Sequence, residues 1–258
     1  NMDCKTFLQQ IIPEIDYKKR TEWHNEIKKN KTEFPFKFKS EGVSIKTQDV
    51  LFELNKYLLN NQIDNYIMTT GVGNHQMMAA QFIKWKYPKS YITSGSLGVM
   101  GAGLPYAIGC QIANPDKMVI DIDGDGSFNH TLGELKTVNN YKLPIKIAVF
   151  NDGVFSMVKA WEQLFFKSRF TATSLNENPD YQLLANSFGI KSIMCDNKAN
   201  LKSSIDEFIK YDKAILCEFR VKSDLCLPLV APGSALDDII TENEDDIGDS
   251  INCKLPPG

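Results

Sequence analysis

From residue 47 onward, apolar positions alternate between helical spacing and the short unbroken runs of buried strands. Val50, Leu51, Leu54 and Leu58 fall on one face of a helix. Apolar runs bounded by glycine or polar residues predict six strands, at 65–70, 90–93, 118–123, 145–150, 192–195 and 214–219. Helices are predicted between them, at 75–84, 106–113, 131–140, 155–166 and 199–210. This alternation predicts an α/β fold: a doubly wound, mostly parallel six-stranded sheet with helices on both faces.

The two ends of the chain lack this regular pattern. Residues 1–44 are polar with little periodicity, and we interpret them as a linker or docking arm that follows a preceding domain. Residues 45–228 carry the regular pattern and are predicted to form the ligand-binding domain. Residues 229–258 are predicted to be a partly mobile tail, because acidic residues dominate after Leu236 and large apolar residues are few.

Composition excludes several classes of function. The formal net charge is −3, with 43% hydrophobic and 24% charged residues among 258, so we expect neither a nucleic-acid partner nor a membrane partner. No apolar run approaches the roughly 18 residues that a membrane span needs. Six cysteines without C-x-x-C spacing, and only three histidines, argue against a zinc site or a disulfide framework. They favour a reducing compartment.

Two acidic turns follow neighbouring predicted strands. The strand at 118–123 leads into Gly-Asp-Gly, centred on Asp125, and the next strand ends at Asp152. Because adjacent parallel strands end at one edge of a sheet, these carboxylates are expected to lie close together. Mg²⁺ prefers one or two carboxylates combined with phosphate oxygens. We predict a Mg²⁺ site formed by Asp125, Asp152, the Val154 carbonyl and a diphosphate, with a helix starting near Phe128 directed at that anion.

Two simpler interpretations compete with this site. The sequence D-x-D-G-D-G also opens an EF-hand loop, but position 12 of that loop is Leu132 rather than glutamate, and a strand precedes it. A structural turn with solvated aspartates would better explain a lone Gly-Asp-Gly, and the second acidic turn reverses that preference. A dinucleotide-binding loop is only weakly supported, because Gly98, Gly101 and Gly103 do not have the G-x-G-x-x-G spacing.

The ordered motifs resemble the carboxy-terminal domain of acetolactate synthase, also called acetohydroxyacid synthase. Gly-Asp-Gly followed about two dozen residues later by an Asn-like pair is similar to the thiamine-diphosphate motif. The likeness runs from about Trp23 to about Ile240 and includes SALDDII in the tail. Four longer blocks carry it: TTGVGNHQMMAAQF, TSGSLGVMGAGLPYAIG, VIDIDGDGSFNHTLGEL and FNDGVFSMVKAWEQLFFKSRF. The resemblance implies a thiamine-diphosphate-binding fold and an enzyme of that family.

Positions that match the family motif near the diphosphate receive roles by this resemblance. Asn74 and His75 are expected to contact the cofactor diphosphate. Asp125, Gly126 and Ser127 are expected to serve the metal and the diphosphate together.

Other matching positions are expected at the reactive end of the cofactor. Gly98 and Met100 lie where the family holds the aminopyrimidine, and Met100 would be the bulky residue that bends the cofactor. Met157 is expected to line the cofactor site, and Trp161 to shape the pocket for a second 2-oxoacid. The resemblance therefore assigns catalytic roles to Met100, Met157 and Trp161. Without that context, a methionine in such a loop would be core filler and the tryptophan a buried helix aromatic.

The resemblance also implies a reaction and its partners. Pyruvate would lose CO₂ and be joined to a second 2-oxoacid, giving 2-acetolactate or 2-aceto-2-hydroxybutyrate for isoleucine and valine biosynthesis. In the family, the glutamate that activates the cofactor lies on an amino-terminal domain of the partner subunit, and a middle domain holds most of an FAD. We therefore expect a second catalytic subunit, in a homodimer or larger, and a possible regulatory subunit. The 258-residue chain alone is expected to bind Mg²⁺ and thiamine diphosphate weakly and to turn over no substrate.

Three departures from the family pattern bear on fine geometry and substrate preference rather than on the cofactor, and two alternatives to the implied enzyme stay open. Asp152 stands where biosynthetic members usually have asparagine, Ser156 where a glycine is usual, and Asn74 where a glutamine is usual. One alternative is another thiamine-diphosphate-dependent 2-oxoacid decarboxylase or oxidase, and another is a non-catalytic homologue that acts as a binding module. The compartment stays open between the cytoplasm and, in a eukaryote, a mitochondrion or plastid.

Overall fold

The computed structural model describes residues 1–40, 42–175 and 177–241. The chain divides into two compact units, Asn1–Lys37 and Phe38–Gly258. The first unit consists of α1 (Cys4–Ile11), a 3₁₀ turn and α2 (Thr21–Glu33), and neither helix has a buried residue. These two helices were not predicted from the sequence. Their apolar residues are not buried, so they lack the core-facing pattern that marks the helices of the second unit. The prediction of a partly mobile tail falls largely on residues 242–258, which lie outside the described residues.

The second unit contains a parallel sheet of seven strands, which confirms the predicted fold class. The strands are β1 (Ile45–Lys46), β2 (Tyr66–Thr70), β3 (Tyr91–Thr93), β4 (Met118–Gly124), β5 (Lys146–Asn151), β6 (Lys191–Cys195) and β7 (Ile215–Lys222). Their order is β1-β7-β5-β4-β2-β3, and β6 pairs with β7 beside β1. The predicted count of six is wrong by one strand. The additional strand, β1, is only two residues long and pairs with Val221 and Lys222, which no local pattern indicates.

The helices of the second unit match the predicted ones, with two exceptions. They are α3 (Thr47–Asn60), α4 (Asn74–Phe82), α5 (Gly103–Ala113), α6 (Asp125–Phe128), α7 (Leu135–Asn140), α8 (Ser156–Phe165), α9 (Tyr181–Ser187) and α10 (Lys198–Lys210). Helix α9 was not predicted. The helix expected to start near Phe128 begins instead at Asp125 and ends at Phe128, so the acidic residue itself opens the turn. A short antiparallel pair, β8 (Leu229–Val230) and β9 (Ile239–Ile240), completes the described part.

Two apolar layers cover the two faces of the sheet. One contains Leu54 of α3 and Phe208 of α10, together with Ile120 and Ile122 of β4. The other contains Leu104 of α5, Phe128, Tyr181 of α9 and Val119 of β4. Successive residues of a strand point to opposite faces, so the apolar residues of β4 contribute to both layers. Helices on both faces were expected, and this arrangement leaves the carboxyl ends of the strands open for a site.

Candidate functional site

The strands β2, β4 and β5 end at the same edge of the sheet, and the turns that follow them surround a cavity. The cavity has a volume of about 230 Å³. Ten of the eleven predicted site residues line it: Asn74, His75, Gly98, Met100, Asp125, Gly126, Ser127, Asp152, Val154 and Met157. The eleventh, Trp161, lies on a separate groove that shares Met157 with the cavity.

Asp125 opens helix α6 at the end of β4, and its carboxylate is held by donors from three segments. Oδ1 accepts the Gly126 amide at 2.9 Å. Oδ2 accepts the Gly153 amide at 2.9 Å and the side-chain amide of Asn178 at 2.7 Å. Gly153 has φ +70, a left-handed conformation that favours glycine. The turn after β5 therefore reaches across to the carboxylate at the end of β4.

Asp152 lies in that same turn and is also held by its neighbours. Its Oδ1 accepts the Val154 amide at 3.2 Å, and its Oδ2 accepts the hydroxyl of Ser156 at the start of α8. Ser156 Oγ is in turn 3.1 Å from Ser223 Oγ. Both aspartates thus have fixed side chains at the rim of one cavity.

The electrostatics of the two carboxylates favour a bound cation. Burial, and then the charge of Asp152, raise the pKa of Asp125 to about 6, against the lowering effect of its three donors. Burial also raises the pKa of Asp152. Two like charges this close destabilise each other, and a divalent cation between them would relieve that repulsion. The donor set of two carboxylates and the Val154 carbonyl has the hard oxygen chemistry of a Mg²⁺ site.

The number of protein ligands available is small. Among residues 1–40, 42–175 and 177–241, no group of three or more His, Cys, Asp or Glu side chains could hold a metal. The predicted site needs only two carboxylates and one carbonyl from the protein, since Mg²⁺ commonly takes its other ligands from phosphate and water. The residues present therefore fit a metal that is shared with a diphosphate.

The two aspartates within β4, which precede Asp125, do not line the cavity. Asp121 and Asp123 are fully buried in the sheet, and burial raises the pKa of both carboxyls. Asp121 Oδ1 accepts the hydroxyl of Thr69 on β2 at 2.8 Å. The strand ends at Gly124 and α6 begins at Asp125, so only this third aspartate turns toward the cavity.

Ser127 joins three glycine-containing turns at the floor of the site. Its Oγ accepts the Gly101 amide at 2.9 Å and the Val72 amide at 3.3 Å. A Cβ on Gly71 would lie 1.8 Å from Asp123 Oδ1 and 2.2 Å from Ser127 Oγ. Only glycine fits at position 71, and its absent side chain lets the turn after β2 approach the turn after β4.

His75 is neutral in this environment. Burial lowers its pKa to about 4, and Nε2 accepts the Gly124 amide at 3.2 Å, which requires that nitrogen to carry no proton. Asp123 Oδ1 lies 3.6 Å from the same nitrogen, but burial disfavours both charges and the contact is not an ion pair. The neighbouring Asn74 donates its side-chain amide to the carbonyl of Asp224 at 3.0 Å.

The far end of the cavity is more apolar and opens toward α8. Gly98, with φ +64, and Met100 form its wall in the glycine-rich turn before α5. Beyond Met157 the groove of about 700 Å³ is lined by Trp161 and Phe166, among others. Trp161 is 44% exposed and packs edge-on against Phe165 at 5.7 Å between ring centroids.

Comparison with known families identifies the domain that contains the cavity. Residues 71–219 match the family described as "Thiamine pyrophosphate enzyme, C-terminal TPP binding domain", which covers more than half of the chain. The chain belongs to this family. The matched range begins at the glycine turn after β2 and ends within β7, so this thiamine-pyrophosphate-binding domain includes every element that lines the cavity except the start of α3.

The relatives of this domain are acetolactate synthases, which confirms the resemblance seen in the motifs. The mitochondrial catalytic subunit of Saccharomyces cerevisiae is 41% identical over 242 residues, covering 92% of this chain and 35% of that protein. The Schizosaccharomyces pombe mitochondrial enzyme is 39% identical, covering 90% of this chain and 35% of that protein. The chloroplastic enzyme of Arabidopsis thaliana is 36% identical, covering 86% of this chain and 34% of that protein. The chain thus spans about a third of the length of the curated relatives it matches.

Solved structures show the same fold. A thiamine diphosphate-dependent 4-hydroxybenzoylformate decarboxylase from Rhodococcus jostii superposes with a TM-score of 0.65. The superposition covers 74% of this chain and 35% of that chain, at 22% sequence identity. At this identity the likeness establishes the fold of the domain and carries no information about substrate. In the part of this chain that the structure describes, every helix is too short or too polar to cross a membrane.

Several residues of the site were not predicted from the sequence. Thr47, Val72, Phe155 and Val158 also line the cavity. Their apolar or small polar side chains carry no motif signal, because such residues are equally common in a core. Asn178, which contacts Asp125, lies in a polar loop; the Asn-Pro dipeptide there indicates a turn but not its position in space.

Proposed function

We propose that this chain holds thiamine diphosphate through Mg²⁺ as the cofactor-binding domain of an acetolactate-synthase-type enzyme. The observation that carries the proposal is the meeting of Asp125 and Asp152 at the ends of two adjacent parallel strands. Their turns are joined by the hydrogen bond from the Gly153 amide to Asp125 Oδ2. With the Val154 carbonyl, they offer one divalent cation three oxygen ligands at the rim of a cavity in a thiamine-pyrophosphate-binding domain.

The diphosphate end of the cofactor would rest on the glycine turns. Gly126 and Ser127 lie beside Asp125, where a backbone without bulky side chains lets an anion approach the peptide N–H groups. Asn74 and His75, at the start of α4, form the opposite wall. The neutral state of His75 means that it would contribute shape and hydrogen bonding to this end rather than positive charge.

The reactive end would lie against the apolar wall. Gly98 and Met100 would hold the aminopyrimidine and impose the bent conformation, and Met157 would close the cavity beside them. Trp161 would form part of the wall for the second 2-oxoacid in the adjoining groove. When bound, thiamine diphosphate supplies the nucleophilic carbon for 2-oxoacid chemistry, and these apolar residues keep water from it.

The relatives support the activity that we propose for the whole enzyme. Their names, acetolactate synthase, and their 36–41% identity support an enzyme that forms acetolactate. The resemblance of the motifs implies the rest of the proposal: condensation of pyruvate with a second 2-oxoacid to 2-acetolactate or 2-aceto-2-hydroxybutyrate, for isoleucine and valine biosynthesis. The name "catalytic subunit" of the yeast relative supports a regulatory partner. A second catalytic subunit, and FAD bound mainly by another domain, complete the proposal. Relatives named mitochondrial and chloroplastic support one of these organelles in a eukaryote.

A calorimetric titration tests the cofactor site. Thiamine diphosphate is titrated into the 258-residue chain with and without Mg²⁺, and into Asp125→Ala. We expect binding that depends on Mg²⁺ and is weakened at least about 10-fold in Asp125→Ala, because a ligand is lost. The matched control is Asp116→Ala, which removes the same charge from the exposed turn before β4 and should bind as the wild type does. Binding that is equal with and without Mg²⁺ in all three proteins contradicts the proposal.

Product analysis tests the reaction. The full-length protein that carries this chain is incubated with pyruvate, Mg²⁺ and thiamine diphosphate. Acetolactate is the expected product. Acetaldehyde would instead indicate a decarboxylase, acetyl phosphate an oxidase, and the absence of any turnover a non-catalytic homologue.

A further inference from the structure

The loop between α8 and α9 is attached to the turn that carries Asp152. Val154 pairs with Ser174 in an antiparallel bridge. The Phe155 amide donates to the Thr173 carbonyl at 2.8 Å, and the Leu175 amide donates to the Gly153 carbonyl at 2.8 Å. These backbone bonds bring Asn178, from a distant part of the chain, to the carboxylate of Asp125.

The side chain of Asn178 bridges the ends of two strands. Its Nδ2 donates to Asp125 Oδ2 at 2.7 Å and to Asn151 Oδ1, on β5, at 3.0 Å. Its Oδ1 accepts the side-chain amide of Asn129 at 3.0 Å. These bonds use both N–H groups of Asn178, and its oxygen is occupied by Asn129. Asn178 therefore holds the Asp125 carboxylate by donating to it and does not offer its own oxygen to a metal.

Two neighbours determine which way this amide faces. The Tyr181 hydroxyl donates to Asn129 Oδ1 at 2.8 Å, which leaves the Asn129 amide to donate to Asn178 Oδ1. Asn151 donates its own amide to Glu218 Oε1 at 2.8 Å, and a carboxylate can only accept. Asn151 therefore presents its oxygen to Asn178. A flipped Asn178 would place an oxygen against Asp125 and against Asn151, so the network fixes the donor end toward the site.

We propose that Asn178 is a positioning residue of the metal site, whose amide holds the Asp125 carboxylate in the orientation that Mg²⁺ requires. The inference rests on the proposed function, since it takes Asp125 as the metal ligand. Mg²⁺ demands near-ideal octahedral geometry, whereas Ca²⁺ tolerates irregular ligand positions. A carboxylate that has lost its orienting partner therefore loses affinity for Mg²⁺ more than for Ca²⁺. An asparagine that only anchored its loop would have no such effect on selectivity.

The test compares metal affinities of folded variants. Mg²⁺ and then Ca²⁺ are titrated calorimetrically into the 258-residue chain with thiamine diphosphate present, using the wild type, Asn178→Ala and Asn186→Ala. The control removes the same amide from α9, where Asn186 contacts Ser192 rather than the site. We expect Asn178→Ala to weaken Mg²⁺ binding roughly 10-fold and Ca²⁺ binding less, because partners of metal ligands typically affect affinity on this scale. Asn186→Ala should match the wild type.

A second variant, Asn178→Ser, separates loss of the hydrogen bond from loss of the fold. Asn178→Ser keeps one donor hydroxyl in a smaller side chain and should weaken Mg²⁺ binding less than Asn178→Ala; it also serves if the alanine variant is poorly folded by circular dichroism. Unchanged Mg²⁺ affinity in both variants, or equal losses for Mg²⁺ and Ca²⁺, overturns the positioning role. A wild type that binds no Mg²⁺ together with thiamine diphosphate overturns instead the proposed function.

Discussion

The backbone amide of Gly153 donates to Oδ2 of Asp125 over 2.9 Å, so the turn after β5 holds the carboxylate that opens α6. The two strands are neighbours in register, with Gly124 opposite Phe150. This hydrogen bond joins the two turns that carry the acidic residues, in addition to the pairing of β4 with β5 and the bridge made by Asn178. The rim of the cavity is therefore held in place without a cation. The position of the Asp125 carboxylate depends on the backbone of the turn that contains Gly153.

We predict that Ser156 and Asp152 are energetically coupled. The Ser156 hydroxyl donates to Asp152 Oδ2 and lowers the pKa of that carboxyl, so Ser156→Ala should weaken Mg²⁺ binding several-fold. In Asp152→Asn the same change should matter less, because no carboxylate remains to be stabilised. A double-mutant cycle on the Mg²⁺ dissociation constant should give a coupling of about 0.5–3 kcal/mol.

The control for this cycle is Ser203→Ala, which removes an exposed hydroxyl from α10. It should leave the Mg²⁺ dissociation constant unchanged. Additive effects of Ser156→Ala and Asp152→Asn would show that the hydroxyl does not act through the carboxylate.

We predict opposite effects for two glycine-to-alanine changes. In Gly71→Ala the new Cβ would meet Asp123 Oδ1 at 1.8 Å and Ser127 Oγ at 2.2 Å, both held in the interior. We expect a loss of at least about 1–3 kcal/mol in the free energy of unfolding. Gly109→Ala, in α5, meets nothing within 4 Å and should gain about 0.5–1 kcal/mol. Urea denaturation of the two variants measures both, and equal stabilities would refute the close approach at Gly71.

The apolar runs made the sheet predictable, and long-range pairing made part of it unpredictable. Strands β2, β4, β5 and β7 are largely buried, whereas β3 has no buried residue and β6 only Cys195. All six were recognised from short apolar runs between polar or glycine residues. Strand β1 has two residues and exists because Ile45 and Lys46 pair with Val221 and Lys222, far along the chain. Helix α9 was missed because it is short: in seven residues it has two buried side chains, Tyr181 and Ala185, and a partly buried Leu184 beside the core.

The residues of the site that belong to a sequence motif could be predicted. The residues that reach the site through long-range backbone pairing could not. Glycine turns at strand ends and the spacing of Asp125 and Asp152 are visible in the sequence. Of the three aspartates, only Asp125 has glycine on both sides, which distinguishes it in the sequence, but the sequence does not show which way Asp121 and Asp123 face. The difference arises because β4 ends at Gly124, leaving two aspartates inside the sheet and turning the third outward. Asn178 reaches the site through the pairing of Val154 with Ser174, which is a tertiary contact.

We predict that Lys146 makes stability rise with pH above about 8. Its side chain is buried, donates to the carbonyls of Tyr211 and Lys213, and has its pKa lowered to about 8 by burial, although Asp212 opposes the shift. In the unfolded chain the pKa of a lysine is about 10.4. Between pH 8 and that value, the unfolded state therefore binds more protons than the folded state. Stability contributed by this group therefore increases as pH rises from 8 to 10 and is constant below 8.

The comparison with Lys146→Met isolates this group, since other groups titrate equally in both proteins. The difference in unfolding free energy, wild type minus variant, should grow with pH between 8 and 10, by an amount on the order of 1 kcal/mol. Urea denaturation at four pH values would measure it. A difference that is constant over this range would mean that Lys146 keeps an ordinary pKa.

We predict that Trp161 matters to substrate choice and little to folding. The side chain is 44% exposed and contacts Phe165 edge-on, so Trp161→Ala should change the unfolding free energy by only about 0.5 kcal/mol. The groove beside Met157 would lose one wall, and one methylene in such an apolar pocket is worth roughly 10- to 200-fold in discrimination. In the full-length protein, competition between pyruvate and 2-oxobutyrate as the second substrate should therefore shift several-fold. Tyr141→Ala removes another exposed aromatic side chain, 69% exposed after α7, and should leave the product ratio unchanged. An unchanged ratio in Trp161→Ala would remove Trp161 from the substrate wall.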